Sequence, residues 1–168
     1  MHPDSSASVS PLACTVMRVG EIGFDAPTTL LDRFGLQLRR VAAETPIPGS
    51  YWGDEEAGII GTTIYARDDT PVHSLLHEAG HLIVLAPEKR AAVHTDATDS
   101  TEEEDATCYL QILLADALPA VGRARLMSDM DVWGYSFRLG STRAWFEHDA
   151  DDAQAWLRER GLLSAATR

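Results

Sequence analysis

The segment HSLLHEAGHLIVL, residues 73–85, constrains the fold more than any other part of the chain. Leu75 and Leu76 precede HEAGH, and Leu82, Ile83, Val84 and Leu85 follow it. An exposed helix would be far more polar, so these flanks demand a helix buried on most of its surface. Buried polar side chains cost free energy unless they are partnered. Positions i and i+4 lie one above the other on a helix face. His77 and His81 can therefore aim a ring nitrogen at one point, as a tetrahedral metal ion requires of two imidazoles. Glu78 follows the first histidine directly. Its carboxylate is placed to take a proton from a water at an open position on one zinc ion. A bare HExxH also arises by chance on ordinary surface helices, and here the apolar flanks argue against that origin. Gly80 costs about 1 kcal/mol in a helix interior relative to alanine, which makes sense where a second backbone packs close.

A chain of 168 residues favours one domain. We read residues 1–11, rich in Ser and Pro, as a flexible tail and 12–168 as a single domain. Forty-five per cent of residues are hydrophobic, enough for a packed core. No apolar run approaches the roughly 20 residues of a bilayer span, and no signal-peptide pattern opens the sequence. Cys14 and Cys108 are too few and too far apart for a disulfide framework, so a reducing cytoplasm is the expected compartment. A net charge of −12 argues against nucleic acid or an anionic membrane as partner. It leaves the oligomeric state open.

The pattern of breakers and periodicity gives a coarse map. A short strand is expected at 14–19, and a helix opened by Asp25 and Pro27 should end near Gly35. Strands are expected at 36–41 and 59–67, joined by the turn-rich stretch TPIPGSYWGDEEAG. Thr70 and Pro71 open the metal helix, which Pro87 stops. A polar loop over 88–100 leads to Ser100 and Thr101, which cap a helix over 102–118. Pro119 should start a third helix to about Met130. Two more helices cover 141–148 and 151–160, the last closed by Gly161. Strands followed by helices make an α+β fold, here a small, mostly antiparallel sheet packed on the metal helix and a helical C-terminal half.

The order of IIGTTIYAR and then SLLHEAGHLIV resembles that of the zincin metallopeptidases. The metzincin extension would need a glycine at 84 and a histidine at 87, where this chain has Val84 and Pro87. The resemblance therefore points to the gluzincin branch, whose third ligand is a glutamate on a second helix. STEEEDATCYLQILLADALP, residues 100–119, is similar to the second helix of the ImmA/IrrE-like family, roughly E-x-E-A-N-x-F-A-x-x-L-L-x-P. Placing that alanine on Ala106 puts the ligand on Glu103, Tyr109 on the aromatic position and Leu113-Leu114 on the leucine pair. Asp105 and Thr107 stand where the family often has Glu and Asn, and the final proline does not align. The resemblance covers residues 58–118 and implies a zincin-like fold with peptidase activity.

Spacing alone also favours Glu103, which precedes Ala106 by three and Leu110 by seven, with Glu104 next and Glu102 weaker. Acids in a first turn also favour the helix dipole and fit a capping box, whatever else they do. Asp105 is then a candidate to orient a ligand histidine. His73, one turn before His77, is a candidate third ligand or supporting group, and His94 and Asp96 are loop candidates for contact with metal or substrate. The resemblance implies a Tyr or His that stabilises the oxyanion, and Tyr51, Tyr65, Tyr135 and His148 are all candidates. In zincins an edge strand ahead of the metal helix binds extended peptide, a role open to residues 59–67, with Tyr51 and Trp52 near the cleft. Three functions follow. The favoured one is a zinc metallopeptidase acting on a peptide or protein. The others are a catalytically altered metal-binding interaction module and a zinc hydrolase of a non-peptide amide or ester.

Overall fold

A computed structural model describes residues 16–51, 54–97 and 100–166. The expected tail, Cys14 and Trp52 lie outside the described residues. Of the strand expected at 14–19, Arg18 forms one bridge to Pro71 and the helical turn α1 begins at once, Val19–Ile22. Helix α2, Asp25–Asp32, leads to strand β1, Gln37–Arg40. The single run expected at 59–67 is two strands, β2, Gly58–Ile60, and β3, Thr63–Ala66. Gly61, at φ 61°, supplies the left-handed residue of the tight turn between them.

Strand order is β1-β3-β2, with β3 parallel to β1 and antiparallel to β2. The sheet is therefore mixed, which corrects the expectation of a mostly antiparallel one. The connection after β1 carries the chain past the neighbouring position, so β3 turns back into the slot between β1 and β2. Ile64 and Ala66 join the buried core with Leu75 and Leu76 of the next helix. By alternation Tyr65 points to the other face of the sheet.

Helix α3, Val72–Val84, has Pro71 at its N-cap and ends before Pro87. A 3-10 helix, Pro87–Ala92, follows where the sequence predicts an irregular loop. Arg90 accounts for the difference. Its guanidinium donates to the carbonyls of Leu82 at 2.6 Å and Ile83 at 3.5 Å, which the end of α3 leaves open, and to that of Phe34, after α2, at 3.1 Å. Helix α4, Thr101–Leu114, packs along α3. The Ser100 hydroxyl caps it, accepting from Glu103 N at 3.4 Å. All residues of α4 from 106 to 114 are buried. A Cβ on Gly80 would lie 3.0 Å from Thr107 Cγ2 and 3.2 Å from its carbonyl oxygen. The glycine is thus where α4 closes on α3.

Helix α5, Gly122–Trp133, starts three residues after Pro119, because Val121 N bonds to Leu118 O at 2.9 Å in a turn. Helices α6, Thr142–His148, and α7, Asp151–Glu159, match expectation, with Ser141 capping the first and Gly161, at φ 69°, following the second. A short α8, Leu162–Ala166, carries no mark of its own in the periodicity. Among the described residues no helix is long and apolar enough to cross a membrane.

Candidate metal centre

Helix α3 presents His77 and His81 to α4, one turn apart on the face that meets it. Their ring centroids are 4.5 Å apart and their planes nearly perpendicular, at 86°. The Glu104 carboxylate spans the two, with Oε1 2.9 Å from His77 Nε2 and Oε2 3.1 Å from His81 Nε2. One ligand atom from each of the three lies within 4.8 Å of the others, and this is the group among the described residues that could hold a metal ion. Both histidines are largely buried, while Glu104 keeps 45% of its side chain exposed. The site is open on the glutamate side.

The other ring nitrogens turn to uncharged partners on α4. His77 Nδ1 is 2.7 Å from Gln111 Oε1, and His81 Nδ1 is 3.5 Å from Thr107 Oγ1. Gln111 and Thr107 are fully buried. With the Cys108 thiol beside His77, α4 offers the stripe Glu104, Thr107, Cys108 and Gln111 to α3. Without a metal, His77 has acceptors on both nitrogens. Burial opposes its charge, but Tyr135, Cys108 and Glu104 outweigh that and hold its pKa well above the usual value. For Glu104, burial opposes ionisation, and the hydrogen bonds from His77 and His81 nevertheless hold its carboxyl well below the usual range. Burial raises the Glu78 carboxyl; His77 and His81 work against the rise, while Glu104 and Glu56 add to it.

The structure thus brings together His77, Glu78, His81 and Glu104 of the residues that the sequence marks. It does not bring Glu103. That side chain lines a separate cavity with Val84, Arg90 and Trp156, on another side of α4. One residue turns a helix by about 100°, and here that step decides which acid faces the histidines. Asp105 also faces away, toward Ser136, Arg138 and Asp149 in a third cavity. Gln111 and Thr107 occupy the orienting positions expected of Asp105. Burial raises the Asp105 carboxyl, helped by Glu104, Asp149 and Asp152.

His73 stands outside the ligand group. Its Nδ1 is 3.1 Å from the Tyr135 hydroxyl, its ring tilts against Trp133, and burial pushes its pKa down to about 3, so it is neutral. Tyr135 packs edge-on to His77, and burial pushes its hydroxyl up to about 12. It joins a cavity of about 240 Å³ with Glu78, His77 and Glu56. A second cavity of about 240 Å³, which Glu78 also lines, is bounded by Tyr51, Glu56, His81, Asp96 and Glu104. Tyr51 and Asp96 therefore stand at the rim. His94 is exposed and lines neither cavity; its Nδ1 is 2.9 Å from Thr95 Oγ1. Tyr65 lines neither cavity, and His148 ends α6 with its side chain 71% exposed beside Glu147. Glu56, held by Trp133 Nε1 at 3.3 Å, is a site neighbour that sequence reasoning missed, since it sits in an irregular connection with no periodicity to read.

The strand edge offered for peptide binding is taken. Strand β3 is interior to the sheet, and the outer edge of β2 receives residues 93–95. Thr95 N donates to Ile59 O at 2.9 Å, and Gly61 N donates to Val93 O at 2.8 Å.

No protein-family model, curated protein or solved structure matches this chain.

Proposed function

We propose that this protein is a zinc-dependent hydrolase that cleaves peptide bonds, with His77, His81 and Glu104 as the metal ligands and Glu78 as the general base. The observation that carries the reading is the meeting of both histidine Nε2 atoms on one carboxylate, beside Glu78. Two imidazoles and a carboxylate suit zinc, and a site with three protein ligands leaves a fourth position open. The donor set fits for a second reason. Each Nδ1 is turned to an uncharged partner on α4, so each Nε2 is the nitrogen that faces Glu104.

Zinc bound there would polarise a carbonyl and acidify water. Glu78 lines both cavities, where it would accept the proton of the attacking water and return it to the leaving nitrogen. Tyr135 and neutral His73 form the wall behind His77. The covered edge of β2 favours a second reading, hydrolysis of a small non-peptide amide or ester, since it removes the ladder that would align an extended chain. A peptide library and a panel of small amides and esters, each treated with zinc-loaded wild type and Glu78→Gln, test both. Cleavage of peptides that Glu78→Gln abolishes supports the first. Turnover of the small panel alone supports the second, and turnover of neither leaves a metal-binding module.

A further inference from the structure

Gln111 is fully buried in the middle of an apolar helix, where its amide must be matched on both sides to be tolerated. Its Nε2 is 3.0 Å from the backbone carbonyl oxygen of His73. A carbonyl oxygen only accepts, so the amide nitrogen faces it and the amide oxygen faces His77. That oxygen lies 2.7 Å from His77 Nδ1. An amide oxygen also only accepts, so Nδ1 carries the hydrogen and Nε2 is left for the metal. Nε2 is the atom that Glu104 meets at 2.9 Å.

We propose that Gln111 is a positioning residue that sets the tautomer and ring plane of His77 for the metal through a neutral amide rather than a carboxylate. Gln111 follows Glu104 by seven residues, two helical turns, so α4 supplies both a ligand and the group that orients another ligand. The amide also ties the ring to α3's own backbone one turn before His77. A neutral acceptor draws less on the Nδ1 hydrogen than a carboxylate does, and it leaves Nε2 the weaker donor. The Nδ1 hydrogen bond by itself therefore supports the ion less strongly than one to a carboxylate would. This inference rests on the metal-centre reading above.

The test uses the full chain as wild type, Gln111→Met, which keeps the shape without the amide, and Gln111→Glu. Zinc affinity is measured by competition with a chromophoric chelator, and the visible spectrum of each cobalt form reports the ligand field. Gln111→Met should lose about 10- to 100-fold in zinc affinity and show a changed cobalt band. Gln111→Glu keeps an acceptor for Nδ1 but loses the donor to the His73 carbonyl, so it should stay within about 10-fold of wild-type zinc affinity, with the wild-type band. A Gln111→Met protein with wild-type affinity and spectrum overturns the proposal, and so does a Gln111→Glu protein that weakens as far as Gln111→Met. If Gln111→Met does not fold, a Gln111→Glu protein that loses more than about 10-fold in zinc affinity overturns the proposal. A wild type that takes up neither zinc nor cobalt sinks the metal centre itself. Normal wild-type binding beside an unaffected Gln111→Met sinks only the role of Gln111.

Discussion

In the proposed mechanism Glu78 has to remain a base in the same cavity as the Glu104 carboxylate. Glu104 raises its pKa by like charge, and the two histidines counter the rise. Replacing Glu78 by Gln keeps the shape and removes the base. Zinc content should stay at wild type while hydrolysis falls at least about 100-fold, the lower end for a general base. Metal analysis beside a rate assay checks both halves. The sequence makes His77, Glu78 and His81 legible because i, i+4 spacing and apolar flanks are local facts. The proposed third ligand is harder. An apolar stripe points to Glu103, but α4 is buried all round from 106 to 114, so a stripe of apolar residues carries no directional information there. The informative stripe is the polar one. Glu104, Thr107, Cys108 and Gln111 recur at helical spacing within an apolar helix, and polar side chains in such a place face something that needs them. Asp105 lies off that stripe, and Asp105→Asn should leave zinc affinity within about twofold, as expected of a residue outside the orienting shell.

At the scale of elements the seam between α3 and α4 makes the site. Gly80→Ala tests it, because two effects compete there. Alanine gains about 1 kcal/mol of helix propensity. Its Cβ, however, meets Thr107 Cγ2 at 3.0 Å and the Thr107 carbonyl at 3.2 Å. Backbone oxygen and a β-branched methyl yield little, and overpacking of this kind costs about 1–3 kcal/mol. We expect net destabilisation of about 1 kcal/mol in denaturant unfolding, with part recovered when Thr107→Ser removes the methyl. Helix starts and stops at Ser100, Ser141 and Gly161 are legible because caps act within one turn. The parallel pairing of β1 with β3 and the capture of β2's edge by 93–95 are not, since both join residues far apart in the chain.

For the molecule as a whole, the metal would bridge α3 and α4 at the open edge of their seam. An ion that binds only the folded state stabilises it, by about 2.7 kcal/mol at 100 times its dissociation constant. Its grip should weaken as pH falls. His77 in the metal-free protein holds a proton more tightly than usual. That proton must leave before Nε2 can ligate, so zinc affinity should rise with pH until pH passes the raised His77 pKa, and then level off. A pH-independent affinity across that range would contradict the charge arrangement described above. The fold class and the helix carrying the histidines are what the sequence makes plain at this scale; the sheet's topology and the choice of acid are set by long-range packing. The most direct measurement is zinc stoichiometry, by elemental analysis after dialysis against zinc and then buffer, for wild type, Glu104→Ala and Glu103→Ala. The arrangement of His77, His81 and Glu104 predicts one ion per chain in wild type and Glu103→Ala, and loss of the ion in Glu104→Ala. Retention of zinc by Glu104→Ala with loss in Glu103→Ala, or no zinc in wild type, would contradict it.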